Sequence, residues 1–424
     1  MNNPTTADYL ESLQNDMQTL KDNVEAKGVE VSDSDNFTTL AIKVSEIPSG
    51  GSGNNFIDVV PSTSTRVYKW IKSVPNLDTS ALTDASSAFD GCTALEEVAL
   101  LDTSNVTSMS AMFRGCTALR TIPLLNTGNV TSMNDMFSNC TSLEVVPNLN
   151  MSAVTNATNM FNNCVSLKTI PNLDTSSVTS AASMFNACSA LNTFPQLDFS
   201  AITQANQMFS RCTSLTLVPA TDFSSVTNTY ALFQGCTSLV TVGALNLSSA
   251  QNLMSTFGGC TNLTDVSLVT TGNLTSATGT FDHCISLVVA PSYETTNVTN
   301  MSNMFSYCTS LTTLPAYNAD SVTNISQIFS NSGAKITTCG GFINLGKAYL
   351  TTASANYYNY TLSFYVFPNY CNLTYDSLMN VINNLYDIAA AGVQTQTLQI
   401  GSTNIAKLTA EEIAIATAKG WSIS

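Results

Sequence analysis

Charge is scarce in this chain. Lys, Arg, Asp and Glu make up 10% of its 424 residues, and the balance is acidic, with a formal net charge of −15. Nucleic acid and anionic membrane surfaces both require a basic footprint, so neither is expected as a partner. Histidine is scarcer still. His283 is the only one, which leaves a histidine-based catalytic arrangement a single candidate, at a variable position held elsewhere by Gly115, Asn139 or Ala187. No Cys-x-x-Cys and no paired histidines occur, so the cysteines do not read as a metal site, and no cofactor is expected. No apolar run approaches the roughly 18 residues of a membrane span. The opening Met1-Asn2-Asn3-Pro4-Thr5-Thr6 has neither the basic start nor the apolar run of a secretory signal, and the expectation is assembly in a cytoplasm.

What the chain does have is a period. Ten cysteines recur every 24 residues, from Cys92 to Cys308. A phenylalanine stands three residues before each, Phe89 through Phe305, and Phe329 adds a further copy in which Ser332 takes the cysteine's place. A leucine stands three residues after each, Leu95 through Leu311. A fixed period of this length means one unit stacked on copies of itself, each burying its apolar face against its neighbours. No catalytic constellation interrupts the period. The chain therefore reads as a non-enzymatic surface whose function is binding.

Within one unit, Leu95, Val98 and Leu101 alternate with exposed positions as a short strand. Asp102, Thr103 and Ser104 supply oxygens for a helix cap or an Asx turn. Val106, Met109, Met112, Phe113 and Cys116 then match the inward stripe of a helix. Each coil is thus expected to run strand, turn, short helix, turn. Pro75, Pro123, Pro147, Pro171, Pro195, Pro219, Pro291 and Pro315 should end each strand, because proline donates no ladder hydrogen bond. Stacked strands about 4.7–4.9 Å apart would form one parallel sheet on the concave side, with right-handed winding. Ala250, Leu253, Thr256 and Thr280 replace the usual Val and Met, so looser packing is expected between Ala244 and Thr280. The cysteine column is expected buried and reduced: parallel side chains would keep Cβ atoms near 5 Å, beyond the roughly 3.5–4.5 Å of a disulfide. Asp78, Asp102, Asp174, Asp198 and Asp222 also recur in register, but Asn126, Asn150, Asn246 and Asn318 replace them elsewhere, which fits turn chemistry better than calcium ligation.

The pattern Phe-x-x-Cys-x-x-Leu-x-x-Ile-Pro-x-Leu-Asp-Thr-Ser-x-Val-Thr-x-Met-x-x-Met-Phe, almost intact from Phe161 to Phe185, resembles the short BspA-like class of leucine-rich repeats. It covers about residues 70 to 332. That class is known from bacterial surface proteins and from structural proteins of their phages. The resemblance implies an α/β fold, a right-handed leucine-rich-repeat solenoid with one parallel sheet and 24-residue repeats, preceded by a small α-helical N-terminal segment.

The ends differ from the middle. Residues 1–47 contain a short heptad seam, Leu10, Leu13, Met17, Leu20 and Val24, and a second amphipathic stretch from Phe37 to Ile47. They read as a helical attachment or oligomerisation segment, an intramolecular helical hairpin being the other reading; by analogy with fibres, the oligomer is a trimer. Residues 48–55 are a Gly/Ser linker, residues 56–334 the solenoid with its N-terminal cap, and residues 335–424 larger β-α coils that form a C-terminal cap. The cap has strands over 336–345, 362–367, 398–400 and 421–423, a helix over 374–388, and a capping box from Thr409 to Glu412. Asp376 to Leu385 and Ala416 to Trp421 resemble the caps of phage-encoded proteins of this repeat class. Tyr357, Tyr358, Tyr360, Tyr365 and Tyr370 make the cap aromatic, for internal packing or for stacking on sugars.

One strand column carries Thr121, Thr169, Thr193, Thr241 and Thr313. It offers a hydroxyl-bearing binding face, or simply good β-propensity on an exposed strand. These readings converge on a phage structural protein of fibre or receptor-binding type, located on the virion. Its expected partners are other virion proteins, through the N-terminal segment, and a bacterial surface glycan or protein. A bacterial cell-surface adhesin and a purely architectural virion component are the alternatives.

Overall fold

The computed structural model describes residues 72–74, 79–332, 335–347, 363–365 and 371–424, with isolated positions 18, 21, 22, 25 and 30. Leu10, Leu13, Met17, Leu20, Val24, the Gly/Ser linker, and Tyr357, Tyr358, Tyr360 and Tyr370 lie outside the described residues. The fold is a parallel β-solenoid of about 13 turns with a spacing of about 24 residues. It comprises two compact units, Met1–Leu197 and Asp198–Ser424.

Strand pairing follows the repeat. In the first unit Ser73–Val74 runs parallel to Glu97–Val98, Ser73 opposite Glu97. In the second, Leu217–Val218 pairs with Thr241–Val242, and Thr221–Asp222, Leu245–Leu247 and Val269–Thr271 form a three-stranded parallel sheet. Leu217–Val218 stops before Pro219 and Thr313–Leu314 before Pro315, where the missing N–H breaks the ladder. Among the described residues the single sheet expected from the repeat is instead a set of short parallel ladders, and the coils between Ala99 and Thr216 carry no strand, only isolated parallel bridges.

The short helix expected from Val106 to Cys116 is absent. This stretch is instead a run of tight turns. Met112 N–H donates to the Met109 carbonyl at 3.2 Å and Cys116 N–H to the Phe113 carbonyl at 3.1 Å. Alternate N–H groups reach the next coil: Met109 to Ser132 at 3.0 Å, Ala111 to Asn134 at 2.8 Å, Phe113 to Met136 at 2.9 Å and Gly115 to Ser138 at 2.7 Å. Left-handed backbone at Ala111 (φ 55°) and Gly115 (φ 73°) is incompatible with a continuing helix. Successive three-residue turns direct the same side chains inward that a helix would, which is why the spacing read as helical.

The core is made of columns. Phe89, Phe113, Phe137, Phe161 and Phe185 stack with ring centroids 5.4–5.7 Å apart and planes 6–11° from parallel. In the second unit Phe209, Phe233, Phe257, Phe281, Phe305 and Phe329 repeat the arrangement at 5.5–5.8 Å. The cysteines are buried thiols that close this column. The Sγ of Cys116 donates to the Phe89 carbonyl at 3.1 Å, Cys140 to Phe113 at 3.0 Å and Cys164 to Phe137 at 3.1 Å. Cys236, Cys260, Cys284 and Cys308 make the same bond to Phe209, Phe233, Phe257 and Phe281. Ser332 donates to the Phe305 carbonyl at 2.6 Å. The position thus requires a small donor that tolerates burial, and cysteine provides both properties.

Burial also raises the thiols of Cys116, Cys140, Cys164, Cys260 and Cys284, and pushes Cys188 and Cys236 to about 12. Because the thiolate is the reactive form, the native protein at neutral pH is expected to react little with Ellman's reagent. The unfolded chain should titrate all 12 cysteines. Prompt reaction of the native column would mean that it is exposed.

The coils between Ala244 and Thr280 are not loose. Ala250, Leu253, Thr256 and Thr280 are fully buried. The Thr256 hydroxyl donates to the Thr229 carbonyl at 3.0 Å, and the Thr280 hydroxyl reaches the Ala277 carbonyl at 2.9 Å. Threonine replaces methionine here without an unsatisfied polar atom, so the coil keeps its register.

In the C-terminal region, Ser363–Tyr365, Gln396–Gln399 and Trp421–Ile423 form a three-stranded parallel sheet. Thr374 caps the helix Tyr375–Asn383, and Thr409 and Glu412 form a reciprocal capping box on the helix Ala410–Ala418. The first helix ends five residues before Ile388, where the chain turns at Asn384. Asp320 in the last regular coil accepts from Asn344 Nδ2 at 2.6 Å and from Lys347 Nζ at 2.9 Å. Partial burial acts to raise its pKa, but these two donors outweigh it and hold the carboxyl below its ordinary value. A depressed carboxylate contributes stability above its unfolded pKa that disappears as pH falls through the folded value. Asp320→Asn should therefore destabilise the protein at pH 7, with a smaller deficit at pH 3 as the pH falls toward the lowered folded pKa, measured by urea denaturation at both values. An equal deficit at both would assign the role of Asp320 to shape, not charge.

Candidate recognition surface

Of the five threonines, Thr241 and Thr313 lie on strands in the second unit, whereas Thr121, Thr169 and Thr193 of the first unit lie outside any strand. Thr121, Thr169 and Thr193 are exposed, and Thr241 and Thr313 are half-buried. Thr241 lies opposite Leu217 and bridges to Asp265, while Thr313 lies between Val289 and Thr338. The hydroxyls are interspersed with apolar side chains of the same column: Val145 is 51% exposed, Leu217 48% and Val289 53%. The strand face is mixed, not uniformly polar. Beside it in the first unit, Lys72, Glu96, Arg120, Glu144 and Lys168 alternate in sign on successive coils. Lys168 Nζ is 3.1 Å from Glu144, and Arg120 and Lys72 lie 4.0 Å from Glu144 and Glu96. The Lys168 ammonium lowers the pKa of Glu144, but pairs this exposed contribute little to stability.

Most recurring polar residues serve the fold. Ser104 N–H donates to Asp102 Oδ1 at 3.0 Å, Gly128 to Asn126 at 3.2 Å, Ser152 to Asn150 at 3.0 Å and Ser224 to Asp222 at 2.9 Å. These are Asx turns, and asparagine makes them as well as aspartate does. Thr107, Thr131, Thr155 and Thr179 each donate a hydroxyl to the carbonyl of the equivalent threonine one coil back. Among the described residues, no group of three or more His, Cys, Asp or Glu is placed to hold a metal, and no helix is long and apolar enough to cross a membrane.

The residues that break the pattern lie on one outward column of left-handed positions. In the first unit these are Gly91, Gly115, Asn139, Asn163 and Ala187. In the second they are Arg211, Gly235, Gly259, His283, Tyr307 and Asn331. Glycine and asparagine suit such backbone; bulky residues do so rarely. Arg211 (φ 60°), His283 (φ 61°) and Tyr307 (φ 56°) are the large exceptions, and all three are exposed. The His283 and Tyr307 rings stack 4.1 Å apart at 15°, and Nδ1 of His283 is 3.0 Å from Oδ1 of Asp282. Sequence reasoning saw His283 only as a variable position. The available signal was its size: with Arg211 and Tyr307 it is one of three large residues in a column otherwise of Gly, Asn and Ala.

A stack of 24-residue turns, with constant columns inside and variable residues outside, defines a repeat protein of the leucine-rich-repeat kind. The chain belongs to the family described as "Mycoplasma protein of unknown function, DUF285", whose model matches residues 62–170, 144–242 and 218–338. No curated protein matches the sequence. Similar solved structures include a leucine-rich repeat protein from Eubacterium ventriosum, 14% identical with a TM-score of 0.34, covering 70% of this chain and 82% of that one. Another is the functional domain of InlJ from Listeria monocytogenes, which includes a cysteine ladder; it is 12% identical with a TM-score of 0.20, covering 79% and 75%. A third is the plant peptide hormone receptor RGFR1 in complex with RGF2, 12% identical with a TM-score of 0.18, covering 79% and 68%.

Proposed function

We propose that this protein is a non-enzymatic recognition component of a bacteriophage particle, of fibre or receptor-binding type, whose solenoid meets a bacterial surface glycan or protein. The observation that carries this reading is the division of roles within each turn. The recurring Phe, Cys, Leu and Thr residues stack the coils and the Asx residues form their turns, whereas the bulky departures, Arg211, His283 and Tyr307, face solvent. A scaffold that keeps its interior constant and varies its outside is suited to binding. The particle setting is supported by the resemblance of the repeats and of the closing segments to phage-encoded proteins. The N-terminal segment, with Leu10, Leu13, Met17, Leu20 and Val24, would dock on other virion proteins and gather the chain into a homo-oligomer, a trimer by analogy.

Fluorescently labelled protein incubated with host cells, together with adsorption of particles lacking the protein, tests this. Saturable cell labelling and poor adsorption of the depleted particles are expected. Normal adsorption of those particles would leave an architectural role only. Immunogold label on the envelope of uninfected bacteria would instead assign an adhesin.

A further inference from the structure

We infer that the surface between Arg211 and Tyr307 is a saccharide-binding site, in which the imidazole of His283, backed by Tyr307, is the stacking platform. This rests on the recognition role proposed above and names the ligand class and the site.

The first ground is the backbone. The left-handed column favours Gly or Asn, and two successive coils place an imidazole and a phenol there instead. Side chains of this size at such φ are unfavourable relative to glycine, and neither ring joins the core: Tyr307 is 40% exposed and the His283 side chain 51%. The fold gains little from them. The second ground is the shape beside them. The rings stack along the direction of the coils, so the outer face of the imidazole is directed toward the preceding coil, where the column residue is Gly259. A Cβ added there would have only the backbone of Gly235 within 4 Å, at 3.5 Å. One coil further, Arg211 leans over Gly235, its Cγ 3.6 Å from the place of the missing Cβ. Arg211 and His283 are three coils apart, roughly 14 Å at the usual strand spacing. The result is an open slot over Gly259, with an aromatic wall at one end and the Arg211 side chain over Gly235 at the other.

The chemistry of the rim selects the ligand. Asp282, whose Oδ1 lies 3.0 Å from the imidazole Nδ1, and Gln234 stand on the positions that precede His283 and Gly235. A pyranose presents a C–H face that stacks on an aromatic ring, and hydroxyls that pair with carboxylate, amide and guanidinium. A purely apolar ligand would strand these polar groups, and the net charge of −15 disfavours a polyanion.

The column supplies its own fold-neutral substitutions, because Asn139 and Asn163 already occupy it. Tyr307→Asn and His283→Asn remove the platform, and Gly259→Asn fills the slot. The probes are tetrasaccharides of glucose, galactose, mannose and N-acetylglucosamine, titrated into the full chain. As the only histidine, His283 gives a single imidazole Cε1–H NMR signal. At least one probe is expected to shift it saturably. Tyr307→Asn, followed by the same signal, and His283→Asn, followed by calorimetry, should each weaken that probe roughly tenfold or more. Gly259→Asn should weaken it similarly; His283→Asn and Tyr307→Asn should melt at or above the wild-type temperature, and Gly259→Asn slightly below it, because glycine suits that φ better than asparagine does. No shift with any probe, or equal affinity in the Asn variants, overturns the site. Cell labelling that persists in Tyr307→Asn would do so while leaving the recognition role intact; wild-type protein that binds neither cells nor saccharides would remove both.

Discussion

Phe137→Ala is expected to destabilise the protein by about 3–5 kcal/mol, the usual cost of emptying a fully buried aromatic site. The Phe137 ring lies between those of Phe113 and Phe161, at 5.7 and 5.5 Å, with no exposed surface. In a solenoid each coil is held only by its neighbours, so a gap in the column weakens two interfaces at once. The backbone carbonyl of Phe137 would still accept from Cys164, which separates the loss of the ring from loss of the turn. Cys164→Ser is the informative companion. Ser332 already occupies this column position with its hydrogen bond intact, so serine should cost far less than Phe137→Ala. Urea denaturation of the two variants measures both. A cost below about 1 kcal/mol for Phe137→Ala would mean that the leucine and methionine columns hold the coils without the aromatic stack.

Gly272→Ala should be at least as damaging, for a different reason. An added Cβ would sit 1.8 Å from the Ser248 carbonyl oxygen and 2.8 Å from its carbon. The obstacle is backbone of the coil below, which cannot swing aside as a side chain would. Relief requires neighbouring coils to part, and a cost on the order of 3 kcal/mol or more is expected. Gly128→Ala is the control: its nearest neighbours are side-chain atoms of Asn126 and Asn150 at 3.6 Å, an ordinary contact, so little change is expected. Thermal denaturation of the pair decides this. Equal melting temperatures would show that the spacing at Gly272 relaxes without penalty.

The two variants probe features of different legibility. The phenylalanine column is visible in the chain as written, because a residue repeated every 24 positions must meet its copies when the coils stack. The close approach at Gly272 is not, since nothing local distinguishes this glycine from Gly128. The coil conformation was misread for a related reason. Val106, Met109, Met112, Phe113 and Cys116 point inward in a helix and in a chain of three-residue turns alike, and only the hydrogen-bond partners tell them apart. Those partners lie in the next coil, at Ser132, Asn134, Met136 and Ser138.

The candidate site divides along the same line. Thr121, Thr169, Thr193, Thr241 and Thr313 were legible as a column, but its apolar members Val145, Leu217 and Val289 emerged as a mixed face only from their exposure. His283 and Tyr307 are 24 residues apart, so the sequence determined that they would be neighbours. Period, inward columns and capped closing helices were likewise determined by the sequence alone, because each follows from residue type and spacing; of the prolines expected to end strands, Pro219 and Pro315 do so, whereas Pro123, Pro147, Pro171 and Pro195 follow no strand. The left-handed backbone beneath those two rings, their face-to-face contact and the opening over Gly259 were decided by the tertiary structure. They depend on hydrogen bonds between coils, which residue type and spacing within one coil do not specify.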